Sequence, residues 1–142
     1  MTGVQTCALP IFRPKLEMIC ASSQASAEKY MKAYGFARAT GDWKVLINDP
    51  KVEAIVIASP QSTHREIVQL AFALGKPVFC EKPLGSSLDD SRAMVKSAEE
   101  AGVTNMVGFN YIRTPASQLA RNLIANGEIG EVTYFQIGRA HV

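Results

Sequence analysis

Apolar positions along the chain fall into two alternating kinds of segment, short unbroken runs and longer stretches with helical spacing. The clearest run is Glu53 to Ser59 (EAIVIAS), where Ile55, Val56 and Ile57 stand together between polar residues and Pro60. A β-branched run without polar alternation predicts a strand covered on both faces. Lys15 to Ala21, Pro77 to Cys80, Asn105 to Phe109 and Val132 to Gln136 read as further strands. Between them, Ala27 to Tyr34 places Tyr30, Met31 and Tyr34 on one helical face, with Gly35 as the stop. Asp42 to Asn48 groups Trp43, Leu46 and Ile47 before Asp49 and Pro50, a pattern of core packing rather than of a cofactor box. Thr63 is placed to cap a helix carrying Ile67, Val68, Leu70, Ala71 and Leu74, and Ser87 to cap Leu88 to Ala101, which Gly102 would end. Ala116 to Ala125 gives a last helix, closed by Gly127.

The resulting order is β, α, short β, α, β, α, β, α, β, α, β, with short connections. It predicts an α/β fold, a doubly wound, Rossmann-like parallel sheet. No repeat or Pro- and Gly-rich linker divides it, and the natural domain edge lies near Asn110 to Thr114, where a second domain begins. The ends read differently. Back-translated, Ile137 to Val142 (IGRAHV) gives DNA whose reverse complement encodes Thr6 to Ile11 (TCALPI), the pattern of one inverted adapter sequence. Residues 1–11 and 137–142 are therefore expected to be foreign to the natural protein.

Composition narrows the class. A chain of 142 residues, 47% hydrophobic, can bury one core and has no apolar run long enough to span a membrane. The net charge of +2 comes from interspersed acids and bases, so neither nucleic acid nor a membrane surface is an expected partner. The three cysteines show neither metal-ligand spacing nor a paired framework, and no signal peptide opens the chain. No metal site and a cytoplasmic location are expected, with a small molecule as the ligand.

Candidate chemistry concentrates in Phe79 to Gly85 (FCEKPLG). Glu81, Lys82 and Pro83 stand where a buried strand ends, the edge at which open α/β sheets bind ligands. Proline restricts the preceding Lys82 and brings a cis peptide down to about 0.5–1 kcal/mol, against roughly 3 elsewhere. Alone, the tripeptide also fits an exposed charged turn. The glycine fingerprint of dinucleotide-binding folds, G-x-G-x-x-G, does not occur.

Five motifs in order carry a wider resemblance: DPKVEAIVIASPQSTH from Asp49, GKPVFCEKPLG from Gly75, AEEAGV from Ala98, MVGFNY from Met106 and GEIGEV from Gly127. From Leu16 to about Gln136 the chain resembles the Gfo/Idh/MocA family of NAD(P)-dependent oxidoreductases of sugars, inositols and related polyols. The resemblance implies a partial NAD(P)-binding domain over 12–110 and the start of a substrate domain over 111–136. It implies that Lys82 is catalytic, lying near the nicotinamide and the substrate hydroxyl, where an ammonium can stabilise charge on the reacting oxygen. It assigns Glu81 to seating the nicotinamide ribose and Ser59, Pro60, Gln61 and His64 to wrapping the pyrophosphate and nicotinamide side. For His64 alone, capping or packing fits as well as ligand contact. Ser22 follows Ala21 where many members carry a ribose-binding carboxylate, which leans to NADP over NAD, although no arginine follows to clamp a 2′-phosphate. Asn110 and Arg113 match the start of the substrate site.

The first strand, the glycine loop and the family's downstream Asp and His have no counterpart in the sequence. The piece as given is therefore expected to be an inactive fragment of a homo-oligomeric enzyme. A non-catalytic dinucleotide sensor on the same fold is the alternative, and Lys82 separates the two, since a pure binder needs no aimed ammonium.

Overall fold

The computed structural model describes residues 14–136 and Gly138. The two segments expected to be foreign lie outside these residues, Gly138 excepted. The element order is β1 (Met18–Cys20), α1 (Gln24–Tyr34), β2 (Arg38–Thr40), α2 (Trp43–Asn48), β3 (Ile55–Ile57), α3 (His64–Ala73), β4 (Val78–Glu81), α4 (Leu88–Ala101), β5 (Asn105–Gly108) and α5 (Pro115–Ala125). Single 3-10 turns, Gln61–Thr63 and Asn110–Arg113, lead into α3 and α5.

Every strand pairing among the described residues is parallel, as the alternation of strand and helix requires. The strands form two sheets, β1-β2 and β3-β4-β5. Across the larger one, Ile57 pairs Cys80 and Cys80 pairs Val107, while one residue back Val56, Phe79 and Met106 line up. Because side chains alternate, these two rows face opposite ways. Ile55, Ile57, Val78 and Cys80 are buried with Val68, Ala71 and Phe72 of α3 and Met94 of α4, a core that Ile47 of α2 extends. Each such fully buried aliphatic side chain stabilises the fold by roughly 1.5–3 kcal/mol.

The opposite face is different. Val56 is 73% exposed and Met106 57%, so β3 is covered on one face and not on both as its apolar run predicts. An unbroken run is compatible with either arrangement, because the second cover is a tertiary matter. In helix α1, Tyr30 and Tyr34 share one face as their spacing predicts, and that face is open. Ala27 is the buried residue of the helix, whereas Tyr30 and Tyr34 are exposed and stack on each other with centroids 6.1 Å apart. Residues 132–136 form no strand and are exposed. Helix α5 buries no residue.

Local signals fix the helix ends. The Ser87 hydroxyl accepts from the Asp90 amide, and Asp89 and Asp90 sit in the first turn of α4, where the helix dipole favours negative charge. Gly102 closes that helix in the left-handed region, φ 60°. Thr63 makes no side-chain cap on α3. Its hydroxyl instead donates to Pro60 O at 2.7 Å inside the preceding 3-10 turn. Trp43 packs partly buried against the core, as its spacing predicts.

Candidate active site

Because β3, β4 and β5 are parallel, their carboxyl ends lie along one edge, and the loops that follow them share it. Three of the segments singled out from the sequence lie here: Ser59 to His64 after β3, Glu81 to Pro83 at the end of β4, and Asn110 to Arg113 after β5. Ser22 follows β1, in the smaller sheet.

The loop after β3 is held by its own hydroxyls. Ser59 Oγ lies 2.6 Å from Thr63 Oγ1, and the Thr63 amide donates to Pro60 O at 2.9 Å. Ser59, Pro60 and Gln61 are exposed along this turn. His64 is not. At 1% exposure it lies beneath the edge, its Nε2 2.9 Å from Ser59 O and its Nδ1 3.1 Å from Leu84 O. The ring therefore meets two backbone carbonyls and, 3.3 Å from Nδ1, the Cys80 thiol, and not solvent.

The loop after β4 carries the charges. The Lys82–Pro83 peptide is cis. Lys82 is exposed, and none of the ion pairs among the described residues engages it. Glu81 points to the open face of the sheet, opposite to the buried Cys80, and pairs in register with Gly108 on β5. A Cβ on Gly108 would stand 3.0 Å from Cδ, Oε1 and Oε2 of Glu81 alike. The carboxylate thus lies flat on the glycine, in space that any other residue would fill. The Lys82 amide adds a long 3.3 Å bond to Oε2. Burial and the neighbouring Glu81 charge push the Cys80 thiol up to about 11, so it keeps its proton.

After β5, Asn110, Tyr111 and Arg113 are exposed. Tyr111, Arg113, Ser117, Gln118 and Arg121 line a shallow cleft against the start of α5. Gln118 donates to Ile112 O, which holds the turn to the helix. Ser22 is exposed at the end of β1. The nearest arginine along the sheet, Arg38 in β2, is taken up by Glu17 and Asp49. Among the described residues no cluster of His, Cys, Asp and Glu could hold a metal ion, and no helix is long and apolar enough to cross a membrane.

Gly108, Leu84 and the Cys80 thiol are the site neighbours that residue spacing does not single out. For Gly108 a signal existed, a glycine closing an apolar strand run in MVGFNY, but its partner depends on the β4–β5 register.

The profile of an oxidoreductase family with an NAD-binding Rossmann fold matches residues 5–109. Levoglucosan dehydrogenase of Pseudarthrobacter phenanthrenivorans is 35% identical over 135 residues, covering 91% of this chain and 35% of that protein. NAD(+)-dependent scyllo-inositol 2-dehydrogenase of Bacillus subtilis is 33% identical over 125 residues, covering 87% and 36%. Among solved structures, an NAD binding oxidoreductase from Klebsiella pneumoniae superposes with a TM-score of 0.78 at 44% identity, over 84% of this chain and 32% of its own. Levoglucosan dehydrogenase in complex with NADH and levoglucosan gives 0.80 at 37%, over 82% and 32%. The chain thus spans about a third of the length of the relatives it matches.

Proposed function

We propose, since this chain belongs to the Gfo/Idh/MocA oxidoreductase family, that it is part of an enzyme moving hydride between a nicotinamide dinucleotide and a secondary alcohol carbon of a sugar, inositol or related polyol. Residues 12–110 are then the larger part of the cofactor domain, and 111–136 open the substrate domain. The separation of β1-β2 from β3-β4-β5 supports the reading of 12–110 as a partial domain, because it leaves parallel sheet edges for a further strand to join. The 142 residues alone lack G-x-G-x-x-G and are expected to be inactive.

The observation that carries the reading is the end of β4, where an exposed Lys82, in no ion pair among the described residues, follows a carboxylate laid flat on Gly108. The residues present fit one half of a dinucleotide. Ser59, Pro60 and Gln61 offer a polar, backbone-rich turn, and Glu81 over Gly108 offers two acceptor oxygens suited to ribose hydroxyls. A bound nicotinamide would supply the hydride chemistry, and the protein the orientation and electrostatics. Lys82 would donate a hydrogen bond to the reacting oxygen and stabilise the negative charge that grows on it. Asn110 and Arg113 would meet the substrate hydroxyls.

The choice of cofactor rests on Ser22. The turn after β1, Ala21 to Ser23, carries no carboxylate of its own to repel a 2′-phosphate, which supports NADP acceptance, although the Asp42 charge after β2 reaches the Cys20 thiol at the end of β1. The levoglucosan dehydrogenase complex with NADH supports NAD. The ratio of kcat/KM for the two cofactors decides between them.

The test is Lys82→Ala in the full-length enzyme. Loss of a group that acts mainly in the transition state should lower kcat by about 10² to 10⁴ with little change in cofactor affinity. Lys82→Arg should not rescue, because a planar fork does not replace a point charge. Turnover near that of the natural enzyme would remove Lys82 from the mechanism, whereas cofactor binding without any turnover in the natural protein would favour the non-catalytic sensor.

A further inference from the structure

His64 is a buried, titratable side chain that the reaction as proposed does not use. Three groups from three places in the fold surround its ring. Ser59 O, in the loop after β3, lies 2.9 Å from Nε2. Leu84 O, in the loop after β4, lies 3.1 Å from Nδ1, and the Cys80 thiol at the end of β4 lies 3.3 Å from the same nitrogen. Among the described residues neither carbonyl has another hydrogen-bond partner. We infer that His64 is a positioning residue that ties the loop bearing Ser59 and Gln61 to the loop bearing Lys82, so that both meet one ligand from fixed places.

The proton count supports a tie over mere filling. The buried polar atoms are those of the ring, whose two nitrogens need partners on opposite sides, and Ser59 O and Leu84 O stand there. A neutral ring donates to one carbonyl at a time, and the doubly protonated ring donates to both. In the neutral form with its proton on Nε2, the Cys80 thiol can donate to Nδ1, which still links β4 to the loop after β3. In the doubly protonated form the thiol can turn to Glu81 O, 3.6 Å away. Because His64 directly follows the loop after β3, a proton on Nδ1 binds that loop to Leu84 O, and with the proton on Nε2 the link runs to β4 through the Cys80 thiol. A leucine of similar bulk would fill the space and make neither link. The consequence for chemistry follows from orientation, since a misplacement of about 1 Å can cost about 100-fold in rate.

This inference rests on the oxidoreductase reading for its link to turnover, but not for the tie itself. The experiment therefore measures hydrogen exchange and kinetics on the same preparations of the full-length enzyme, with His64→Leu, His64→Gln and His64→Asn. Gln keeps an amide donor near the Nε2 position and Asn one near Nδ1. For His64→Leu we expect faster exchange confined to peptides spanning 58–64 and 81–87, kcat lower by about 10- to 100-fold, and partial recovery of both in at least one amide variant. Faster exchange spread evenly through α3, α4 and the sheet would show a merely structural role and overturn the proposal, as would failure of both amides to recover anything. Confined exchange with unchanged kcat would overturn the positioning role while leaving the tie. If the natural enzyme shows no nicotinamide-dependent turnover, the oxidoreductase reading fails, and the exchange pattern alone still decides whether the two loops are tied.

Discussion

The two sheets of this protein are held by different physics. In β3-β4-β5, one face is packed with Ile55, Ile57, Val78 and Cys80 under two helices, which among the described residues are bridged by one ion pair, the partly exposed Arg65–Asp90 contact. In β1-β2, Thr40 is the one strand residue that is buried, and charge adds to the backbone ladder that joins the strands. Arg38 of β2 reaches Glu17 just before β1 at 2.8 Å and Asp49 just after α2, while Lys76 donates to Asp49 O at 2.7 Å. Apolar burial involves no titrating group and is not weakened by charge screening, whereas these partly exposed ion pairs depend on pH and, in part, on ionic strength. The difference teaches where stability and adjustability reside. The larger sheet carries the deeper packing beneath the loops at its carboxyl edge, and the smaller one is a flank that leans on ion pairs as well as on Met18 against the core.

The largest expected effect lies in the packed face. Ile57→Ala removes a fully buried side chain from the centre of the core and should cost about 2–5 kcal/mol. Val56→Ala, one residue away and pointing to the open face, should stay within about 0.5 kcal/mol. Thermal or denaturant unfolding of both variants checks this, and equal losses would mean that the open face is covered in solution. Self-association would be the natural cause, since Val56, Phe79 and Met106 form a continuous apolar row.

How far the sequence revealed this depends on the range of each signal. Helix α4 was legible at both ends, because Ser87 and Gly102 act within one turn of the residues they cap. The β3 run was legible as a strand, but Ile-Val-Ile reads the same whether one or both faces are covered, so Val56 was misplaced. Val132 to Gln136 has the composition of a strand, yet a strand exists only against a partner edge, which composition does not specify. The site shows the same division. Glu81, Lys82 and Pro83 are local and stood out by charge and conformational restriction. The flat carboxylate on Gly108 and the ring of His64 between two carbonyls arise from residues 27 and 20 positions apart, fixed only by strand register and helix docking.

An intermediate effect separates the two faces of the larger sheet. Gly108→Ala adds a Cβ 3.0 Å from the Glu81 carboxyl atoms, and the far end of that side chain can swing away at little cost. Stability should therefore change by less than about 1 kcal/mol. If Glu81 seats the cofactor ribose, the KM for cofactor in the full-length enzyme should rise about 5- to 10-fold, equivalent to about 1–1.4 kcal/mol. Adding Gly108→Ala to Glu81→Ala should then do nothing further, because the two act through one contact. Additive effects would mean that the glycine matters for some reason other than the carboxylate above it.

The smallest effect belongs to the charged flank and appears only in acid. The guanidinium of Arg38, followed by the Lys51 amide, holds the Asp49 carboxyl down from 3.8 to about 2. Lys15 and Arg38 lower Glu17 in the same way, against the opposing effect of burial. A carboxylate whose folded value lies below its unfolded one favours the folded state above the unfolded value, and loses that contribution as pH falls through the folded one. The contribution of Asp49 is therefore complete above about pH 4 and gone near pH 2. Because Arg38 is 37% exposed and water screens the pair, the loss should be modest and should show first in β1 and β2, while the packed face of β3 and β4 stays protected. Hydrogen exchange followed from pH 5 to pH 2 checks the order of opening. Asp49→Asn should flatten the dependence, and about 1 M salt should mimic part of it at neutral pH. Simultaneous opening of both sheets at low pH would show that the flank is coupled to the core, through α2 and the packing of Met18 and Trp43, more tightly than its ion pairs suggest.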